Sequence, residues 1–276
     1  MEPQTNSGPL KWTLITASAV FLSVFLLLPL AYIVATALRQ GMDAYLAAIT
    51  DKYTCKAAWL TIQATLWAVA VNTVFGIAAA WCLTKFAFRG KKIISTCIDL
   101  PVTVSPIIAG LIYLLTFGRQ SFLYPYLDSW NIKIIFAVPG IVLATIFVTF
   151  PFISRELLPV LTAQGTDEEE AAALMGAGAF TIFRKVTLPH IKWALLYGVV
   201  LCTARAMGEF GAVSVLSGHL WGKTNTLPLY IELLYQGYDF TGAFAASSLL
   251  VVMAIIILAL RLWLERRGSK ELDIRK

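Results

Sequence analysis

The sequence predicts an all-α integral membrane protein of six transmembrane helices, and three features lead there. The 276 residues are 58% hydrophobic and 14% charged, with a mean hydropathy of +0.75, a composition that a single water-soluble domain cannot bury. Six apolar runs, at 12–37, 57–84, 93–117, 137–154, 191–216 and 243–264, lie near or above the about 20 residues that a helix needs to cross the hydrocarbon core. Apart from Arg205, the lysines and arginines sort unevenly, with fifteen on the side that holds both termini and six on the other. Positive charge marks the cytoplasmic face, so both termini and the loops after the second and fourth runs are expected in the cytoplasm. The net charge of +6 then reports topology and contact with anionic lipid, not nucleic acid.

Residues 1–11 form a short cytoplasmic segment, 12–264 one transmembrane domain and 265–276 a cytoplasmic tail. The first run is too long for the apolar core of a signal peptide, about 7–15 residues, and no small-x-small cleavage site closes it, so it is a retained span. The third run opens IDLPVTVSPIIAG, with Asp99, Pro101 and Pro106 inside it. Proline removes a helical donor, which predicts a discontinuous span. Ser105 followed by Pro106 has the order of an N-cap and a first-turn proline. That arrangement either turns free amides of Ile107 and Ile108 toward an anion or is a simple proline kink. The fifth run carries Arg205 and Glu209 one helical turn apart, where ionisable groups are costly and face a cavity or a partner. The two either neutralise each other or belong to a solute path. Ala204, Gly208 and Ala212 form a small-x3-small row suited to close helix approach at a subunit interface. Ser105, Pro106, Arg205 and Glu209 are therefore the candidate path residues.

Between the fourth and fifth runs, at about 155–190, the chain turns polar: EEEAAALMGAGAFTIFRKVTLP covers 168–189. Thr166 and Glu169 have capping-box spacing, and Asp167 to Glu170 place acids in a first helical turn. Gly176 and Gly178 are expected to stop that helix. A second short helix, with Phe180, Phe183 and Val186 on one face, should end at Pro189. Both pieces are too short to stand alone and need a surface to lie on.

Other chemistries find little support. Cys55, Cys82, Cys97 and Cys202 are scattered without CxxC spacing and read as small buried hydrophobes. His190 and His219 are far apart, which gives no metal cluster. SGHLWGKT, at 217–224, nearly spells a phosphate-binding loop, but its first glycine position is Ser217 and no strand precedes it. No cofactor is therefore expected on this chain.

Glu170, Ala171 and Ala172, then Gly176 three residues on, then Val186, Leu188 and Pro189 resemble the EAA-x3-G-x9-I-x-LP signature of binding-protein-dependent ABC importer permeases, with Val186 in place of isoleucine. The resemblance implies a type I importer permease with a cytoplasmic coupling helix, in which those seven residues grip an ATPase carried by another polypeptide. DLPVTVSPIIAG and RAMGEFGAVSVLSGHLWGKTNTLPL are similar to the sulfate, molybdate and tungstate branch, and the latter to the W-type subunits of its sulfate/thiosulfate importers. By that likeness the chain is an inner-membrane permease subunit, not an enzyme. It would bind no ATP itself and would work with a second, T-type permease, an ATPase dimer and an external sulfate/thiosulfate-binding protein. Molybdate or tungstate import is the alternative cargo, and a secondary anion transporter is a more distant reading.

Overall fold

The computed structural model describes residues 9–274, with side chains over 11–267. Most of the expected 1–11 segment and the last part of the 265–276 tail lie outside the described residues. All regular structure among the described residues is helical. Five helices are long and apolar enough to cross a membrane, and a sharply bent pair makes a sixth crossing if it counts as one span.

The first span consists of α1 (Pro9–Leu22), a π turn (Ser23–Leu27) and α2 (Leu28–Ala37). It stands exposed over its most apolar stretch. After α3 (Met42–Thr50), Asp51 caps α4 (Lys52–Lys85) by accepting the N–H groups of Tyr53 and Thr54 at 2.8 and 3.3 Å. The third span is α5 (Lys91–Thr103) and α6 (Pro106–Phe117), bent by 108°. This is a break and not a kink: Pro101 is absorbed within α5, and the chain turns at Val104 and Ser105. The short α7 (Tyr124–Ser129) leads to α8 (Val138–Gln164). That helix runs ten residues past the expected end of the fourth span despite Pro151 and Pro159, so the polar connection begins at Gly165.

The connection holds α9 (Asp167–Leu174) and α10 (Ala179–Ile182), then a π turn (Phe183–Thr187) that opens directly into α11 (Leu188–Met207). Pro189 was expected to end a short helix. Instead the widened turn, in which the Leu188 N–H reaches the Phe183 carbonyl, accommodates the proline ring and the rod continues. The same device precedes Pro29, where the Leu28 N–H reaches Ser23. The fifth span, expected to be continuous, breaks at Gly208–Phe210 before α12 (Gly211–Ser217). Then come α13 (Leu227–Gln236) and α14 (Phe240–Ile274).

The core lies where α4, α8 and α11 cross. Ala80, Ile153, Leu157, Leu161, Ile191 and Cys202 form one cluster, and Leu60, Ile141, Val148, Val213 and Leu216 contribute to a second, which reaches α12. A Cβ at Gly76 would lie 2.9 Å from Ile153 Cγ2, so that glycine sets how closely α4 approaches α8. Asn72, fully buried, donates to Thr149 Oγ1 at 2.8 Å and to the Ile146 carbonyl at 3.2 Å, a polar tie between two spans. Of the four cysteines only Cys202 is buried; Cys82 is half-buried, and Cys55 and Cys97 are exposed.

Candidate functional site

Three consecutive glutamates of α9 have three different surroundings. Glu168 pairs with His190 Nε2 at 3.4 Å. Glu169 Oε1 lies 3.1 Å from Lys85 Nζ and accepts from Thr187 Oγ1 at 2.7 Å. Glu170 is exposed and makes no side-chain hydrogen bond or ion pair within the described residues. Neither half of the expected capping box forms: Thr166 makes no side-chain cap bond, and the Glu169 carboxylate that would reach back to it is held by Lys85 and Thr187. The helix still starts where expected, with four acids in its first turn facing the positive end of the dipole.

α9 ends in a Schellman motif. The Ala177 N–H reaches the Ala172 carbonyl at 3.1 Å, and the Gly176 N–H reaches that of Ala173 at 2.9 Å. Gly176 sits at φ +86, whereas Gly178 is extended at φ −72 and starts α10. Gly176 alone makes the stop. Ala172 faces inward, 8% exposed, and Leu188 packs against the core cluster of α4, α8 and α11. Val186 and Pro189 are half-buried, while Ala171 is exposed. Leu174, Met175 and Phe180, at 90%, 83% and 74% exposure, form an uncovered apolar tip around the glycine.

The second constellation is where the two broken spans meet. A Cβ at Gly110 would lie 2.6 Å from the Ala212 carbonyl oxygen, and one at Gly211 would lie 3.0 Å from Pro106 Cβ. α6 and α12 therefore cross backbone to backbone at their glycines. Glu209, with its side chain 1% exposed, accepts the Ala212 N–H through Oε1 at 3.0 Å and meets Arg205 Nη1 through Oε2 at 2.6 Å. A side chain thus replaces the backbone acceptor at the start of α12, which is why the fifth span breaks. Arg205 closes α11 and Glu209 precedes α12, each at the helix end whose dipole favours its sign. The four candidate path residues are brought together through Pro106, Gly211, Glu209 and Arg205. Ser105 stands at the N-cap of α6 without a side-chain cap bond, and Ile107 and Ile108 are 54% and 50% exposed. The small-residue row does not act as one face. Ala212 is fully buried against this chain's own α6, while Ala204 and Gly208 line a groove between α11 and α14.

Two pairs were not legible beforehand. Lys85 with Glu169 joins residues far apart in sequence, and Arg155 Nε meets Asp99 Oδ1 at 2.6 Å between α8 and α5. Asp99 inside an apolar run was the signal for the second; its partner had been placed in a loop.

Such an arrangement is that of a multi-pass membrane protein with a pair of short helices between its fourth and fifth spans and an internal break in its third and fifth. Residues 72–270 match the family model for the binding-protein-dependent transport system inner membrane component, and the chain belongs to that family. It is 50% identical over 93% of its length, and 88% of the relative's, to the sulfate transport system permease protein CysW of Escherichia coli (strain K12). It is 44% identical to the CysW of Synechocystis sp. over 93% of both chains, and 34% identical over 87% of both to the CysT permease of Salmonella typhimurium. Its fold is that of a bacterial alginate ABC transporter chain, solved in complex with an alginate pentasaccharide-bound periplasmic protein, with a TM-score of 0.78 at 18% identity and 95% coverage of both. A chain of the MetNI methionine ABC transporter superposes with a TM-score of 0.55 at 19% identity, over 77% of this chain and 94% of that one. This is the type I ABC importer permease architecture, and the chain is a multi-pass inner-membrane transport subunit.

Proposed function

We propose that this chain is one of two permease subunits of an ATP-driven sulfate importer that also accepts thiosulfate. The observation that carries this reading is the near full-length similarity to sulfate permeases at 50% and 44% identity, which takes in both the pair of short helices and the break. The second permease is of the CysT type, the ATPase is a separate dimer that supplies all nucleotide binding, and an external binding protein delivers the anion. Both termini are cytoplasmic, as the lysine and arginine distribution supports.

Glu170, Ala171, Ala172, Gly176, Val186, Leu188 and Pro189 form the coupling element. Exposed Glu170 offers a carboxylate to a cation on the ATPase, and the apolar tip fills a groove there. Ser105, Pro106, Arg205 and Glu209 flank the anion's route: the first-turn amides of α6 are unclaimed by the helix, and Arg205, 34% exposed in its side chain, is the adjacent positive group. The test is radiolabelled sulfate uptake in cells lacking their own sulfate permeases, with the chain supplied alongside its second permease, ATPase and binding protein. Uptake that thiosulfate competes with and molybdate does not is expected; uptake of molybdate alone would replace this reading with the molybdate one.

A further inference from the structure

Lys85 is the last residue of α4, and its ammonium group is nearly desolvated, with side-chain exposures of 6% for Lys85 and 14% for Glu169. It also donates to the carbonyl of Gly165 at the end of α8. The other donor to Glu169 Oε1 is Thr187, 1% exposed, in the π turn ahead of α11. One carboxylate oxygen therefore ties α9 to the ends of two long helices, while α9 itself has eight residues and no stability of its own. The neighbouring link, Glu168 to His190, is exposed and contributes little, as surface pairs do. Burial makes the Lys85–Glu169 pair different, because either partner alone would leave an uncompensated charge out of water.

We propose that Lys85, Glu169 and Thr187 form a strut that carries displacement of the α9 lever into α4, making them positioning residues for coupling, distinct from the ATPase-facing Glu170. The covalent routes from the lever run only into α8, through Gly165 and Thr166, and into α11. The strut adds a route into α4, whose 34 residues span about 50 Å at about 1.5 Å per residue. That helix is tied to α8 by Asn72 and reaches the opposite face at Tyr53, whose ring packs edge-on to Trp221 at 5.5 Å. Motion at the lever is thereby delivered to both sides of the core at once.

This inference rests on the coupling reading above, and the test separates the two. The complete complex, with both permeases, ATPase and binding protein, is reconstituted in liposomes, and sulfate imported per ATP hydrolysed is measured. Lys85→Met and Glu169→Gln are expected to assemble with wild-type stoichiometry and to lower that ratio about tenfold, within the roughly 5–150-fold range of site-to-site coupling. Lys85→Arg, which keeps the charge and reach, should restore it. The Lys85→Met/Glu169→Gln double variant should be no worse than either single, as one shared interaction requires. An unchanged ratio in both singles, or effects that multiply in the double, would overturn the strut. Should Lys85→Met not accumulate, Thr187→Val, which removes only the hydroxyl, gives the same reading through a smaller fall in the ratio. If Glu170→Ala also leaves transport intact, it is the coupling role of the whole loop that fails.

Discussion

Glu209 accepts the backbone N–H of Ala212 at 3.0 Å, and with that bond one carboxylate both breaks the fifth span and starts the next helix. Its other oxygen meets Arg205 at 2.6 Å, so the pair that the sequence placed on one uninterrupted helix in fact bridges the gap between two.

Unequal costs follow for the two partners. Glu209→Gln keeps an oxygen for Ala212 and leaves Arg205, which water reaches, so the loss of stability should be roughly 1 kcal/mol. Arg205→Met strands a buried carboxylate and should cost roughly 2–3 kcal/mol, below the about 3–5 kcal/mol of fully buried pairs. Thermal unfolding of the purified complex reads the order, and a larger loss for Glu209→Gln would contradict it. The Arg205→Met/Glu209→Met double variant should assemble and fail to import sulfate; full uptake would make the pair structural only.

Gly176 is predicted to matter through its backbone alone. A Cβ there meets nothing within 4 Å, but φ is +86, a region that costs an L-residue about 1–2 kcal/mol. Gly176→Ala should weaken capture of the ATPase in pull-down, Gly176→Asn less so, and Gly178→Ala, at φ −72 with open space around it, not at all. Equal effects at the two glycines would show that the turn geometry is not what the ATPase requires.

Crowding, not strain, governs Gly110. Its added methyl would sit 2.6 Å from the Ala212 carbonyl and 3.0 Å from Val215 Cβ, forcing α6 off α12 at an overpacking cost of about 1–3 kcal/mol. Gly110→Ala should lower the melting temperature of the complex, and more so than alanine at Gly208, where the nearest atom is 3.9 Å away.

Orientation is open to labelling. With the four native cysteines replaced, a cysteine at Lys223 should react with a membrane-impermeant maleimide in intact spheroplasts, and one at Thr166 only after lysis. The reverse pattern would invert the topology drawn from the distribution of lysine and arginine.

Much of this fold was legible because apolar length and charge placement are properties of the chain itself. The break before Pro106 was visible in the prolines, and the start and stop of α9 in its acids and Gly176. Less visible was whatever depended on a partner distant in sequence. Thr166 and Glu169 have capping spacing, yet Lys85, eighty-four residues earlier, wins the carboxylate. Helix continuity through Pro189 was missed because a π turn leaves no compositional trace, and the break at Gly208 because its cause is a side-chain acceptor and not a proline.

The meeting of two interrupted spans bears on how the subunit survives before assembly. Ser105, Ile107 and Ile108 are exposed, and acyl chains cannot satisfy backbone groups that no helix claims. A copy inserted without its companion therefore leaves the Ile107 and Ile108 N–H groups with no acceptor among the described residues. An orphan subunit is thus a natural target for membrane quality control, and its cellular abundance is set by how fast its companion is made.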